Sequence, residues 1–212
     1  MALAIGPETR VFQFSYAFEE ADFPPGEAVD IYIPMPAQHA GQRVLEQSFQ
    51  SSVRGEVGHE AVYGNAYYHL HRPADSSVPL SASLHWTVAR EVAIDGRGAE
   101  LSPSQRVQYL SPNTLVPVGH EILQPILAEI HMKRADDSPA ATARAIYDWV
   151  VDNVEYKKVG TGWGNGDTFW ACNERYGNCT DFHALFIALA RSEGIPARFE
   201  IGFPIPQDRS AG

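Results

Sequence analysis

The sequence predicts an α+β protein, with an antiparallel, sandwich-like β domain over residues 1–115 and a helix-rich domain over residues 116–212. Two observations predict this division. Through the first half, apolar and polar residues alternate with period two in short runs, which is typical of strands with one face in a core. From about residue 119 the apolar period becomes helical. A chain of 212 residues is also long enough to bury a sizeable core.

Six runs of alternating residues mark the strands of the first domain. The clearest is RVFQFSYAF at residues 10–18. Turns rich in proline and glycine separate it from the other runs, which lie near 28–33, 43–54, 57–63, 66–72 and 83–94. Short strands with closely spaced turns favour an antiparallel sandwich. We interpret the following segment, which contains Pro103, Pro112 and Pro117, as a linker.

Two amphipathic helices follow the predicted linker. The first has a stripe formed by Leu123, Ile126, Leu127 and Ile130. We place Pro125 in its first turn, where proline is tolerated. For the second helix, Ser138 is the predicted N-cap and Pro139 the first helical residue. Its predicted apolar face consists of Ala143, Ile146, Tyr147, Val150 and Val154.

A third helix is predicted over residues 180–193. Its apolar stripe consists of Phe182, Leu185, Phe186 and Leu189. Because alanines and Ile187 fill its other faces, we expect a helix that is buried nearly all round. Gly194 suits the left-handed position that ends a helix. We interpret residues 198–205 as the start of a strand, whose exposed edge would pair two copies of the chain.

Charge and hydropathy exclude several classes of partner. The net charge is −10, and the longest basic cluster is the pair Lys157 and Lys158, so we expect no binding to nucleic acid or to anionic membranes. No apolar stretch reaches the roughly 18 residues of a membrane span, and residues 1–6 lack the basic start of a signal peptide. We expect a cytoplasmic protein as the sequence stands, or a periplasmic or secreted one if a signal peptide has been removed.

Glycines and aromatic residues are interleaved over residues 160–178. Their spacing fits neither of the usual phosphate-binding fingerprints, and no Gly-Lys-Ser/Thr motif is present. We interpret this segment as a loop across the entrance of an active site, because glycines permit tight backbone paths. Trp163, Trp170 and Tyr176 are candidates for lining the cleft, although aromatic residues near a core commonly serve packing alone.

Cys179 lies at the N-terminus of the third predicted helix. Unpaired backbone N–H groups and the positive end of the helix dipole favour a thiolate there, as in nucleophilic cysteines. The N–H group of Cys179 is also a candidate donor to an oxyanion. Many helices begin with an inert cysteine, so these patterns leave a nucleophile and a buried structural thiol both open. We interpret Cys172 as structural, at a spacing that permits an oxidative bond to Cys179.

The run GNCTDFH at 177–183, with GIPAR at 194–198 and AIYDWV at 145–150, resembles the core of the bacterial transglutaminase-like superfamily. That fold is related to papain-like cysteine proteases. The resemblance is specific over about 140–205, and the β-rich half looks like the N-terminal domain that often accompanies this core. It implies that Cys179 attacks the carbonyl of a glutamine side chain or peptide bond and forms a thioester. An amine would then give transamidation and water would give hydrolysis, with no cofactor.

The resemblance also implies a catalytic histidine and aspartate on strands that follow the helix. Only 33 residues follow Cys179, and their one histidine is His183. We therefore expect a chain cut within its catalytic core, inactive as it stands. His183, one helical turn from Cys179, is either a supporting residue or a dyad partner. Asp181 suits the helix dipole and Asn178 a helix cap, with a role near the oxyanion left open.

Two readings of the function remain at this point. In the first, the protein is a cysteine acyltransferase or protease that acts on protein or peptide substrates. In the second, it is a non-catalytic module whose β domain binds a protein partner and whose core is a degenerate scaffold. His69 and His71 share one face of a predicted strand and would need a third ligand to bind a metal, so we expect no metal there.

Overall fold

The computed structural model describes residues 9–20, 23, 26–39, 41–91 and 100–203. The chain folds into two compact units, residues 1–99 and 100–212. Antiparallel sheets make up the first unit, and helices dominate the second. The fold class is therefore α+β, as the sequence predicts.

The first unit is built from two three-stranded antiparallel sheets. Its six strands are β1 (Thr9–Glu20), β2 (Val29–Pro34), β3 (Gln42–Ser51), β4 (Gly55–His59), β5 (Ala66–Arg72) and β6 (Leu80–Glu91). One sheet has the order β1-β6-β3 and the other has the order β2-β5-β4. All six predicted strands are present. The prediction extended two of the strands too far, because residues 52–54 follow the end of β3 and residues 60–63 follow the end of β4. Residues 92–94, which were predicted to end the last strand, lie outside the described residues.

The two sheets share one apolar core. Alternate residues of β6 face it, namely Leu80, Ala82, Leu84, Trp86 and Val88, which are all buried. Ile33 from β2 and Leu70 from β5 belong to the same cluster as the central residues of β6. Successive side chains of a strand point to opposite faces of its sheet, so each sheet has one face that enters the core. Two sheets that pack these faces together form a sandwich.

The second unit is assembled around one buried helix. Its elements are α1 (Pro103–Leu110), a 3₁₀ turn (Glu121–Leu123), α2 (Gln124–Lys133), α3 (Pro139–Asn153), β7 (Glu155–Tyr156), α4 (Thr168–Glu174), β8 (Tyr176–Gly177) and α5 (Cys179–Ser192). The short strands β7 and β8 pair in parallel. Leu185, Ala188 and Leu189 of α5 are fully buried in a cluster that also contains residues of α2, α3 and α4. The prediction of a helix buried nearly all round is confirmed.

The starts of α2 and α3 follow the predicted caps. Pro125 lies in the first turn of α2. The Ser138 side chain accepts a hydrogen bond of 3.2 Å from the backbone N–H of Ala141, and Pro139 begins α3.

The predicted face of α3 is partly wrong. Tyr147 is 55% exposed, whereas Trp149 is buried and its indole donates a 2.7 Å hydrogen bond to Glu129. The core-facing residues are Thr142, Ala145, Ile146, Trp149 and Val150. The larger indole takes the core position because it buries more apolar area and finds an acceptor for its N–H.

Helix α1 occupies the segment that we interpreted as a linker. Ser102 and Gln105 form a reciprocal capping box, and Pro103 stands in the first turn. The end of α1 is bonded to the C-terminal segment, since the backbone N–H of Ala197 donates a 3.0 Å hydrogen bond to the carbonyl of Tyr109. The division between the two units consequently falls at 99/100, before this helix, and the sequence-based boundary at 115/116 lies inside the second unit.

Helix α5 ends in the predicted way, but the strand predicted after it is not formed. Gly194 has φ +73°, and the N–H of Ile195 returns to the carbonyl of Ala190 at 2.9 Å, which completes a Schellman motif. Residues 198–203 are not in a strand, and 204 and 205 lie outside the described residues. A strand needs a neighbour, and none of the described strands lies beside this segment. The predicted pairing of two copies through this segment stays a prediction.

Candidate active site

Cys179 is the first residue of α5, and its thiol is exposed. The side chain of Asn178 caps the helix, accepting a 2.9 Å hydrogen bond from the N–H of Thr180. Among the described residues, the Cys179 N–H donates no hydrogen bond. The sulfur is thus exposed at the positive end of a long helix, beside a backbone N–H that has no hydrogen-bond acceptor in the described part of the chain. A nucleophilic thiol needs this arrangement.

Asp181 is a fully buried carboxylate in that first turn, two residues after Cys179. One of its oxygens accepts hydrogen bonds from the N–H groups of Gly164 at 2.7 Å and Asn178 at 2.9 Å. The other oxygen accepts from Gly166 at 3.1 Å. The prediction that Asp181 merely suits the helix dipole is too narrow, because this side chain fastens a distant loop to the start of α5.

The fastened loop is the glycine-rich segment that we expected to lie at an active-site entrance. Gly164 and Gly166 have φ +85° and +65°, a region that favours glycine. Gly177 is required for a different reason, since a Cβ there would overlap the Asp181 carboxyl group. The loop thus lies on the N-terminal turn of α5, where it contacts Asp181, two residues after Cys179.

Two of the three aromatic residues predicted to line the cleft, Trp170 and Trp163, contact the backbone of the glycine-rich loop. The Trp170 indole donates to the carbonyl of Tyr176 at 3.1 Å, and the two rings meet edge to face at 5.6 Å. The backbone of Gly162 passes directly over the Trp170 ring. Trp163 donates to the carbonyl of Gly160 at 3.1 Å and remains half-buried.

His183 contacts the backbone of Cys179 and leaves the dyad role without support. Its Nδ1 donates a 2.5 Å hydrogen bond to the carbonyl oxygen of Cys179, and its ring meets Phe199 edge to face at 5.1 Å. A carbonyl oxygen can only accept a hydrogen bond, so Nδ1 carries the proton and its N–H donates to the backbone of α5. These contacts agree with a supporting role for His183.

The second cysteine lies in different surroundings. Cys172, in α4, is only 7% exposed, and burial raises the pKa of its thiol to about 11. A thiol in that state is almost wholly protonated at neutral pH and reacts slowly. The two cysteines therefore differ in exposure, since Cys172 is buried and Cys179 is exposed.

Arg175 is a residue of this region that the sequence reasoning missed. It ends α4 with φ +57°, a left-handed conformation that is uncommon for a residue with a Cβ. Its guanidinium lies 4.5 Å from the centre of the Trp149 ring, which helps to hold the turn into β8 and Cys179. Trp149 lies in the AIYDWV segment, so the sequence contained a signal for one partner of this pair.

The remaining candidates lie in the first unit. His69 and His71 share one face of β5, as predicted, and both contact the same oxygen of Asp30, at 2.7 and 2.9 Å. In the described ranges, no group of three or more His, Cys, Asp or Glu side chains is arranged to hold a metal ion. None of the helices in those ranges is long and apolar enough to cross a membrane.

Comparison with known proteins finds a family match within the second unit. Residues 128–211 match the family model of the transglutaminase-like superfamily. A curated protein of Haemophilus influenzae, described as uncharacterized, is 31% identical over 118 residues. The match covers 53% of this chain and 32% of that protein, so the chain spans about a third of its curated relative.

A solved structure shows the same fold. It is a chain from Cytophaga hutchinsonii described as a “Putative Cysteine Protease”, with a TM-score of 0.59 and 21% sequence identity. The match covers 88% of this chain and 67% of the other. The papain-related fold class predicted from the sequence is therefore confirmed.

Proposed function

We propose that Cys179 is the nucleophile of an acyl transfer from amide or peptide substrates, on the ground that residues 128–211 match the family model of the transglutaminase-like superfamily. The observation that carries the proposal is the placement of the thiol. Cys179 is exposed at the first position of a capped, buried helix, next to its own uncommitted N–H. Cys172 has none of these features, and the pKa of its thiol is raised.

The proposed chemistry passes through a thioester. The Cys179 thiolate attacks the carbonyl carbon of the amide, and the carbonyl oxygen becomes an oxyanion to which the Cys179 N–H donates. The C–N bond then breaks, and the amine leaves with a proton from a general acid. Water or a second amine cleaves the thioester and regenerates the thiol.

His183 is not the proton donor in this proposal. Its Nδ1–H is hydrogen-bonded to the carbonyl of Cys179, and its ring is held by Phe199. The superfamily resemblance assigns proton transfer to a histidine on a strand that follows the helix, whereas His183 lies in α5 itself and, within the described residues, makes no hydrogen bond to the Cys179 sulfur. We therefore expect this chain to be acylated by activated esters without turning over ordinary peptide amides.

Acylation by p-nitrophenyl acetate tests the proposal, because p-nitrophenolate leaves without needing a proton. The protein is incubated with the ester near pH 6.5, the acetyl group is located by peptide mass spectrometry, and hydroxylamine is used to identify a thioester. The Cys179→Ser and Cys172→Ser variants are the matched pair. We expect a thioester on Cys179 that forms faster in the folded protein than in urea, and that persists in Cys172→Ser.

Two results would overturn the proposal. One is acetylation of Cys179 that is no faster in the folded than in the unfolded protein. The other is labelling that is spread equally over both cysteines. Either result would favour the non-catalytic reading of the chain. When Cys179 is acylated as expected, the fate of the thioester with and without an added amine separates transamidation from hydrolysis.

A further inference from the structure

A cationic shelf lies beside the strand that leads into Cys179. It consists of Tyr156, Lys157, Lys158 and Trp163. Lys158 is its centre, because its ammonium lies 5.6 Å from the centre of the Tyr156 ring and 5.9 Å from that of Trp163. Two aromatic faces hold this charge in one region of the surface.

The ammonium of Lys158 has no carboxylate within ion-pair distance in the part of the chain that the structure describes. Its neighbour Lys157 is different, since Glu155 lies 3.8 Å from its ammonium. The chain as a whole has a net charge of −10, so this surface cation differs in sign from the protein's overall charge. It is available to an anion that arrives from solution.

The shelf is connected to the nucleophile through the backbone. Strand β7 pairs with β8, and the N–H of Lys157 donates to the carbonyl of Gly177 at 2.9 Å. Gly177 is two residues before Cys179. From chain geometry, the Cα atoms of Lys158 and Cys179 are within about 15 Å of one another, a span that an extended peptide covers in about four or five residues.

The aromatic part of the shelf also reaches α5. The centres of the Tyr156 and Phe182 rings lie 6.2 Å apart, and Phe182 is one helical turn after Cys179. Tyr156 is 61% exposed. Trp163 belongs to the glycine-rich loop that Asp181 fastens to the same turn. A substrate chain that reaches Cys179 along this side would meet an apolar surface carrying one positive charge.

We propose that this shelf is a subsite for an acidic side chain of a peptide substrate, with Lys158 as the residue that sets the preference. The proposal rests on the proposed function, because it concerns the acyl donor that Cys179 attacks. The carboxylate would lie within about four residues of the reacting carbonyl. Tyr156 and Trp163 would contact the apolar part of the same segment.

Matched acyl donors test the proposal. Two peptidyl p-nitrophenyl esters are compared that differ only in Glu or Gln two residues before the reacting carbonyl, and the rate of acylation of Cys179 is measured by mass spectrometry. We expect the Glu ester to react about three- to fivefold faster at low ionic strength, and the ratio to fall with added salt. The ratio should disappear in Lys158→Gln, reverse in Lys158→Glu and persist in Lys158→Arg.

Lys133→Gln is the charge-matched control. Lys133 lies in the last turn of α2, outside the shelf, so this variant should keep the wild-type ratio. A ratio that survives in Lys158→Gln, or equal rates for the two esters in the wild type, would overturn the subsite while leaving the nucleophile in place. Failure of both esters and of p-nitrophenyl acetate to acylate Cys179 would instead overturn the proposed function, and the subsite with it.

Discussion

Replacement of Asp181 should release the glycine-rich loop from α5. This carboxylate accepts three backbone hydrogen bonds, from Gly164, Gly166 and Asn178. A hydrogen bond to a charged group contributes about 1.5–3 kcal/mol, and a buried donor left without an acceptor costs about 1–3 kcal/mol. Two of the three N–H groups are only partly buried and can turn to water, so we expect Asp181→Ala to lower the free energy of unfolding by about 3–5 kcal/mol.

Asp181→Asn should show a smaller and more local effect. Its single oxygen can still accept from Gly164 and Asn178, while its amide group would face the N–H of Gly166. We expect a loss of about 1–3 kcal/mol, with faster hydrogen exchange at the Gly166 amide.

Urea denaturation followed by tryptophan fluorescence measures these changes, since three of the four tryptophans lie in the second unit. Asp148→Ala is the matched control. Asp148 is an aspartate on the surface of α3 that pairs with Arg144 one turn away, and such a pair contributes about 0.3–0.5 kcal/mol. A loss below about 1 kcal/mol for Asp181→Ala, or unchanged hydrogen exchange over residues 160–166, would refute the role assigned to this carboxylate.

Two further substitutions and one labelling reaction test separate parts of the structure. In Gly177→Ala the new methyl group would displace the Asp181 carboxyl group, so we expect the free energy of unfolding in urea denaturation to fall by about 1–3 kcal/mol. The double variant with Asp181→Ala should lose less than the sum of the two single losses. Ser138→Ala removes the cap of α3 and should cost about 1 kcal/mol by the same assay, whereas a change of a few tenths would contradict the cap. Because burial raises the pKa of Cys172 to about 11, its alkylation by iodoacetamide at pH 8 should be more than a hundredfold slower than that of a thiol with the ordinary pKa of about 8.5, and the rate should keep rising up to about pH 11. A plateau near pH 9 in peptide-mapped labelling would show that Cys172 is not buried in solution.

The parts of the site that the sequence predicts are those with local signals. The cap of α5 by Asn178 and its end at Gly194 depend on residues within one turn of the helix, so a pattern of a few residues suffices. The alternation of β6 is equally local, because one residue in two faces the core. Cys179 is located at the helix terminus by the same short-range reasoning.

The parts that the sequence does not predict depend on distant partners. Asp181 receives hydrogen bonds from Gly164 and Gly166, which lie 17 and 15 residues earlier, and no periodicity connects them. A strand over 198–203 has the right alternation and still does not form in the described structure, because a strand also needs a neighbour.

Helix α1 is a different kind of error. Its capping box is a local signal that was present in the sequence. The three prolines favoured a linker, but Pro103 stands at the start of the helix, where it is tolerated.

The central claim is that the N-terminal turn of α5 activates Cys179. The most direct test is the rate of iodoacetamide alkylation of Cys179 at pH 6 in the Cys172→Ser background, measured in the folded protein and again in urea, with a small-molecule thiol as the reference in each solvent. We expect the folded protein to react about two- to fivefold faster after correction by the reference, because the helix terminus stabilises the thiolate. An equal or slower rate in the folded protein would contradict the claim.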